Sequence, residues 1–228
     1  MATWITHFRI GDYFLDRIPG IVPAPFIVGN IGPDCGVPNA DWSAFTPPTE
    51  ISHWKEQGED CRSGEFAAEY LCDADINPEK RSFLLGYYIH LLTDNEWNHG
   101  IYQPKRSQYA AQFARDEGFI WTFKRDWYDL DHLYLKKHPD FRAFRIFSSV
   151  ADFHDDTIVF YPEEAYNRQI RYITRFYREF DGDLDHEYIY LNQREMDDFV
   201  KEAVVCIEDD LKKNGLMERH LNERLSEG

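Results

Sequence analysis

The chain has 228 residues, of which 43% are hydrophobic and 16% aromatic, enough to bury the core of one large domain. It contains no run of about 18 consecutive apolar residues, which excludes a membrane-spanning helix. Acidic residues number 41 against 25 basic ones, and the net charge of -16 repels nucleic acid and anionic membrane surfaces. Nucleic acid is therefore not an expected partner, and no stable membrane anchor is expected.

Composition and the distribution of Gly, Ser and Pro predict one all-α domain over residues 1–228. No linker rich in Gly, Ser or Pro divides the chain, and Val is sparse beside Leu, Phe, Tyr, Glu and Asp. Residues 1–9 lack the features of a secretory signal, so we expect a cytoplasmic protein. The four cysteines show no C-x-x-C spacing and are predicted to be free thiols.

The first predicted helix begins after Thr3, which can cap it, and its apolar positions continue to Pro19-Gly20. His7 falls in its second turn. Gly11, four residues later, lies on the same stripe of the helix. The pattern leaves two interpretations of His7 open, a buried core histidine and a metal ligand.

A turn that ends buried structure is predicted at Asp34. Gly29, Gly32 and Pro33 interrupt a short apolar segment just before it, because glycine permits unusual backbone shapes and proline ends helices. An aspartate on a turn is commonly a local cap. The apolar residues that precede Asp34 instead predict that its carboxylate points inward.

His53 follows a predicted loop over residues 35–50, which is rich in proline and lacks periodicity. It stands between Ile51 and Trp54 rather than in a charged run. A surface histidine and a buried ligand are both compatible with this setting.

The most informative stretch is a helix that follows a short predicted helix at about 64–73. Asn77 supplies its cap, Pro78 its first residue and Glu79 an early acid. Residues 83–92 are apolar nearly all round, which indicates a helix buried within the domain. His99, in the sequence Asn-His-Gly, is predicted to end it, as a partner of the last carbonyls or as a further ligand.

His90 and Asp94 stand four residues apart on this helix, so their side chains share one face and can bind one metal ion. An unpaired carboxylate in an apolar interior costs several kcal/mol, and a divalent cation satisfies both side chains at once. A hydrogen bond across one helix turn is the alternative. Gly86, one turn earlier, leaves space beside the imidazole for an ion, a water or a close neighbour.

The second half of the chain is predicted to be helical at about 104–138, 140–152 and 163–180, with an irregular segment at 181–191. Asp129 and His132 share a face of the first of these helices, as a second site pair or as part of a solvated polar face. A final helix begins with the capping box Asn192-x-x-Glu195 and ends near Gly215.

The order of these residues resembles the bacterial zinc-dependent phospholipase C family. The resemblance covers residues 5–99 and rests on His7, the turn at Asp34, Ser-His53-Trp, and Leu-Gly-Tyr-Tyr-Ile-His90-Leu-Leu-Thr-Asp94. The related nucleases of fungi and plants share this helical scaffold. The resemblance implies an all-α bundle with one to three zinc ions between its helices.

Site roles follow from the resemblance by position. His53, His90 and Asp94 would hold one zinc ion, Asp94 would bridge to a neighbouring ion beside His7, and Asp34 would be a ligand or a catalytic base. Zinc prefers imidazole and carboxylate ligands and lowers the pKa of bound water to roughly 7.

The sequence departs from the family in two places. Secreted members use their processed N-terminal residue as a ligand, and we expect that ligand to be missing here. The family also has a downstream His-x-x-x-Glu pair, whereas Lys136 stands four residues after His132. His99, Asp129 and His132 are the available substitutes.

These observations predict a metal-dependent hydrolase of phosphoric esters, most of all phosphodiesters, acting on a small-molecule or lipid-derived substrate. A degenerate domain with a structural ion and no turnover is the alternative. A phosphohydrolase built on the dyad His154-Asp155 is a further one, although that dyad lies among polar residues.

Overall fold

The computed structural model describes residues 1–73 and 76–217. The predicted domain 1–228 also includes residues 74–75 and 218–228, which lie outside the described residues, and its extent stays a prediction. The α-helices of the described residues are α1 Trp4–Phe14, α2 Pro23–Gly29, α3 Thr49–Ser52, α4 Ser63–Tyr70, α5 Pro78–Trp97, α6 Gln103–Gln108, α7 Ala110–Arg115, α8 Phe119–Lys137, α9 Arg142–Ser149, α10 Ala165–Arg178 and α11 Gln193–Lys213.

Helices dominate the structure, which confirms the predicted all-α class. A 3₁₀ turn at Gly32–Cys35 follows α2, and a π-helical segment at Asn98–Tyr102 follows α5. Between residues 1–73 and 76–217, β structure is limited to a short antiparallel ribbon of β1 (Val37–Pro38) and β2 (Phe45–Thr46). None of the helices in these ranges is long and apolar enough to cross a membrane. A cytoplasmic location stays a prediction.

Several predicted boundaries are wrong. Helix α1 ends at Phe14, five residues before Pro19, because the N–H groups of Arg17 and Ile18 both turn back to the Phe14 carbonyl. The predicted loop over residues 35–50 contains the β1–β2 ribbon and the start of α3. The segment predicted as one helix at 104–138 is divided into α6, α7 and α8.

The chain also continues where Asn-His-Gly was predicted to end a helix. Gly100 does not take the left-handed conformation that stops helices, and the π-helical segment leads directly into α6. Packing explains the continuation, because this segment lies against the Phe199 ring, 3.6 Å from a Cβ atom placed on Gly100, and Ile101 is buried.

Two of the three caps predicted from local sequence are confirmed, whereas Thr3 stands at the N-cap position of α1 but its side chain caps no backbone N–H and bonds Asp131 instead. The Asn77 side chain accepts the Glu79 N–H at the start of α5. Asn192 and Glu195 form the predicted capping box of α11, each accepting a backbone N–H from the other. Helix α11 then ends at Lys213, beside Gly215.

Helices α2 and α5 cross in direct backbone contact. A Cβ atom at Gly29 would lie 2.0 Å from the Phe83 carbonyl oxygen, and one at Gly86 would lie 2.1 Å from the Phe26 carbonyl oxygen. The space that the sequence left open beside Gly86 is therefore filled by the α2 backbone. This crossing fixes the residue after α2, Asn30, against α5.

Helix α1 is held against α8 and α10 by one buried carboxylate, Asp131. Its Oδ1 accepts a hydrogen bond from the Thr3 hydroxyl at 2.6 Å, and its Oδ2 accepts one from the Tyr177 hydroxyl at 2.6 Å and a longer one from the Ile5 N–H at 3.4 Å. Burial raises the pKa of Asp131 to about 7, against the effect of the bonds from Thr3 and Tyr177.

Replacing Gly86 with alanine should destabilise the protein by about 3 kcal/mol or more, because the added methyl group collides with the α2 backbone. This loss exceeds the roughly 1 kcal/mol that alanine gains over glycine in a helix. Urea denaturation measures the change. Gly64→Ala in α4 is the control, since a Cβ there meets no atom within 4 Å, and equal stability of the two variants would contradict the crossing.

Replacing Asp131 with asparagine should flatten part of the pH dependence of stability. The folded pKa of about 7 lies above the unfolded value of roughly 3.9, so this group makes the wild type less stable as pH rises between those values. From pH 5 to pH 8 the wild type should lose on the order of 2 to 3 kcal/mol relative to Asp131→Asn in urea unfolding. Asp140→Asn, at an exposed position, should follow the wild-type curve.

Candidate metal centre

Five side chains from separate parts of the chain approach one another inside the helical bundle. Helix α1 provides His7, the 3₁₀ turn after α2 provides Asp34, the residue that follows α3 is His53, and α5 provides His90 and Asp94. They form two overlapping groups, one with His7, His90 and Asp94 and one with Asp34, His53 and His90. Within each group the ligand-type atoms lie within 4.8 Å of one another.

The two oxygens of Asp94 face different histidines. Oδ1 lies 3.5 Å from His7 Nε2, whereas Oδ2 lies 3.6 Å from both His53 Nε2 and His90 Nε2. The same His53 Nε2 atom also lies 3.3 Å from Asp34 Oδ1. The rings of His7 and His90 are stacked, with centroids 3.7 Å apart and planes 1° from parallel.

Several of these atoms are buried without a hydrogen bond. They are both ring nitrogens of His7, Nε2 of His53 and of His90, and Oδ2 of Asp94. An unsatisfied buried polar atom costs about 1 to 3 kcal/mol, so a concentration of them at one point indicates a missing partner.

The donor set fits zinc. Zinc is bound by imidazole nitrogen and carboxylate oxygen in tetrahedral sites with bonds of about 2.0 to 2.2 Å, which places neighbouring donor atoms roughly 3.3 to 3.6 Å apart. The separations between the facing donors here are 3.3, 3.5 and 3.6 Å. These distances are long for hydrogen bonds and suit atoms that share an ion.

Backbone carbonyls orient two of the rings. His90 Nδ1 lies 3.0 Å from the Asn30 carbonyl, and His53 Nδ1 lies 3.2 Å from the Thr49 carbonyl and 2.9 Å from the Ser52 hydroxyl. In the neutral rings Nδ1–H donates to the carbonyl, which leaves the Nε2 lone pair facing the other donors. Sequence reasoning missed these carbonyls, because any residue could supply one.

The electrostatic setting favours ionised carboxylates and a neutral His7. Burial, together with the charge of His90, lowers the pKa of His7 to about 4. Burial would raise the pKa of Asp34, but His53 and His90 bring it down to about 2. Burial would likewise raise the pKa of Asp94, and the Met1 amino group and the histidines hold it well below its usual value.

The other two histidines shift in opposite directions. Burial lowers the pKa of His53 despite the neighbouring Asp34. For His90, burial acts in the same direction, but Asp94 outweighs it and the pKa is raised. Metal ligands bind as neutral imidazole and ionised carboxylate, and His7, His53, Asp34 and Asp94 already favour those forms.

The first residues of the chain also reach this centre, which the sequence did not predict. The Ala2 N–H donates to Asp94 Oδ1 at 2.8 Å, and the Trp4 indole N–H donates to Asp34 Oδ2 at 2.9 Å. Both carboxylates thereby have one oxygen fixed by a donor from the N-terminal segment. The expected absence of an N-terminal ligand stays a prediction.

The remaining candidate residues have partners elsewhere. His99 is exposed and its Nε2 lies 2.8 Å from Asp60 Oδ2. Asp129 accepts hydrogen bonds from Arg125 and from His186, the latter at 2.9 Å. In the part of the chain that the structure describes, neither donor group includes His99 or Asp129, and their role as ligands stays a prediction.

Two alternatives named from sequence also lie outside the donor groups found in the described ranges. His132 stacks on Phe180, with ring centroids 3.6 Å apart. Asp155, of the dyad with His154, accepts the N–H of Ile158 at 2.9 Å and so closes its own turn. A carboxylate engaged in this way is a local cap.

Fold and donor set together define a helical metalloprotein with its metal ligands between the helices. The family model described as zinc dependent phospholipase C matches residues 6–205, and the protein belongs to this family. It is therefore a zinc-dependent phosphoester hydrolase. The match extends the resemblance from residues 5–99 to most of the chain. No curated protein and no solved structure is significantly similar to it.

Asp94→Asn should reduce zinc content more than any change outside the donor groups. The substitution keeps the shape of the side chain but removes the charge that faces three imidazoles and that would bind a dication. We expect zinc affinity to fall by more than the ~10 to 100-fold typical of residues that only support ligands. Elemental analysis after dialysis, with thermal melting in zinc and in chelator, measures the loss.

Asp126→Asn is the matched control for this experiment. Asp126 is also buried, but its carboxylate accepts the N–H groups of Tyr190 and Leu191 and takes no part in the donor groups. That variant should retain the wild-type zinc content. Full zinc content and unchanged melting in Asp94→Asn would show that Asp94 is an ordinary helix residue.

Proposed function

We propose that this enzyme hydrolyses phosphodiesters, with zinc held by His7, His53, His90 and Asp94, with Asp34 as a further ligand or as the base, and with water as the nucleophile. One observation carries the proposal: among the described residues, the imidazole nitrogens and the carboxylate oxygen that are buried without a hydrogen bond belong to His7, His53, His90 and Asp94, whose ligand-type atoms lie in one cluster. A purely structural histidine cluster would pair these atoms within the protein.

The position of Asp94 favours more than one zinc ion. Its Oδ1 faces His7 while its Oδ2 faces His53 and His90, so one carboxylate can serve two ions. Two ions stabilise both the attacking and the leaving oxygen of a phosphoryl transfer. This geometry supports the bridging role that the family resemblance implies.

Zinc supplies Lewis acidity, which polarises a phosphoryl oxygen and makes water an effective nucleophile near neutral pH. Asp34 is the residue best suited to take the proton of that water. Its carboxylate is ionised, and Trp4 and His53 fix its orientation. It is less buried than the histidines and lines a cavity that opens from the cluster, where a substrate can reach it.

The substrate class is a phosphoester of a small molecule or of a lipid. The net charge of -16 disfavours long nucleic acids as substrates, because the long-range field of the protein repels a polyanion. A single phosphodiester carries little charge by comparison, and bound zinc would outweigh the surrounding field locally.

Asp34→Asn should lower kcat for bis(4-nitrophenyl) phosphate about 100-fold or more in the zinc-loaded protein. A positioned base contributes typically 10²- to 10⁴-fold, and the amide cannot accept the proton in the same way. Zinc content measured on the same sample separates the two roles of Asp34, since loss of rate with retained zinc indicates a base and loss of both indicates a ligand.

Asp155→Asn is the control, because its carboxylate closes a local turn away from the cluster. Its rate should equal that of the wild type. If Asp155→Asn were inactive and Asp34→Asn active, the dyad alternative would replace this proposal. If the zinc-loaded wild type hydrolysed no phosphodiester, the domain with a structural ion would replace it.

A further inference from the structure

A cavity of about 380 Å³ adjoins the metal centre on the side of Asp34. Its walls are largely aromatic, with Trp42, Phe45, Trp121, Tyr128, Tyr172 and Phe176 among the lining residues. Because Asp34 lines the cavity and also belongs to the donor group with His53 and His90, a molecule bound at the cluster can extend directly into the cavity.

Lys124, on α8, is the one basic side chain among the cavity's lining residues. It is half-buried, and it forms no hydrogen bond or ion pair with any residue in the ranges 1–73 and 76–217. Its Nζ lies 5.9 Å from the ring centroid of Trp121 and 5.8 Å from that of Trp127. Asp34 and Asp94 are the carboxylates whose charges act on Lys124, but neither forms an ion pair with it. Its ammonium therefore keeps free donors beside the cavity, where it can meet an anionic group of a ligand.

We propose that Lys124 binds a phosphoryl oxygen of the substrate and that the aromatic walls hold an uncharged, apolar substituent on the same phosphate. This inference rests on the proposed function and narrows its substrate class. The cavity volume is at the small end of the range for ligand pockets, which suits a ring or a short chain rather than a whole lipid.

A cationic substituent, such as a quaternary ammonium, is disfavoured in this cavity. Aromatic walls bind such groups through the faces of their rings. Here the Lys124 ammonium already lies over Trp121 and Trp127, 5.9 and 5.8 Å from the ring centroids, and a second positive charge beside it would be repelled. The charge of Lys124 therefore disfavours a cationic substituent beside Trp121 and Trp127.

Calorimetry on the zinc-loaded protein with phenyl phosphate, phosphocholine and inorganic phosphate tests the inference. The wild type should bind phenyl phosphate at least about tenfold more tightly than phosphocholine. Lys124→Met should raise the Kd for phenyl phosphate about tenfold or more, as expected for loss of a hydrogen bond to a charged group. Lys124→Arg keeps the charge and should recover most of the affinity.

Two further variants separate the aromatic walls from the lysine and from general effects. Trp121 is 67% exposed, so Trp121→Ala should leave the fold intact, weaken phenyl phosphate binding and leave inorganic phosphate binding unchanged. Lys136→Met, on the exposed part of the same helix, is the matched control and should bind all three probes as the wild type does.

Phosphocholine binding at least as tightly as phenyl phosphate in the wild type would overturn the inference, and so would an unchanged Kd for phenyl phosphate in Lys124→Met. Failure of the proposed function is a separate result, seen as absence of bis(4-nitrophenyl) phosphate hydrolysis by the zinc-loaded wild type. The binding series decides the role of Lys124 in either case.

Discussion

Burial of the Asp94 carboxylate is the constraint on which the rest of the site depends. It lies on a helix that is apolar on nearly all sides, where an isolated negative charge is strongly unfavourable. Its surroundings offset that cost with the Ala2 N–H and with imidazoles from α1, from the end of α3 and from α5 itself. The N-terminal segment, α3 and α5 therefore meet at one carboxylate.

Backbone packing sets the positions of the donors around Asp94. The contact of α2 with α5 at Gly29 and Gly86 brings the Asn30 carbonyl to His90 Nδ1, and this contact orients the ring. At the N-terminal end of α1, Asp131 holds Thr3 and Ile5 against α8. This contact places the His7 ring over the His90 ring. The α2–α5 backbone contact and the hydrogen bonds of Asp131 lie outside the cluster, and together they set the geometry within it.

Charge acts in opposite directions at long and short range in this enzyme. The protein as a whole repels polyanions, whereas the immediate surroundings of Asp34 include an unpaired lysine and a set of donors suited to dications. A small phosphoester experiences mainly the local charges, because the surface field is screened beyond roughly 8 to 10 Å at ordinary salt. Selectivity for small substrates is consistent with both features.

Local rules allowed the sequence by itself to determine the helical class, the caps at Asn77 and Asn192, and the pairing of His90 with Asp94, since helix periodicity and capping depend on residues within one or two turns. The helix ends predicted from the sequence were less accurate. The chain continues in helical form past Trp97 because it packs against Phe199, a hundred residues away. Tertiary structure alone decided the contacts between distant residues: the closeness of α2 at Gly86, the approach of Ala2 to Asp94, the partners of His99 and Asp129, and the cavity that Lys124 enters. No spacing along the chain encodes such contacts, because they arise only when whole helices pack and their side chains compete for the same interior space.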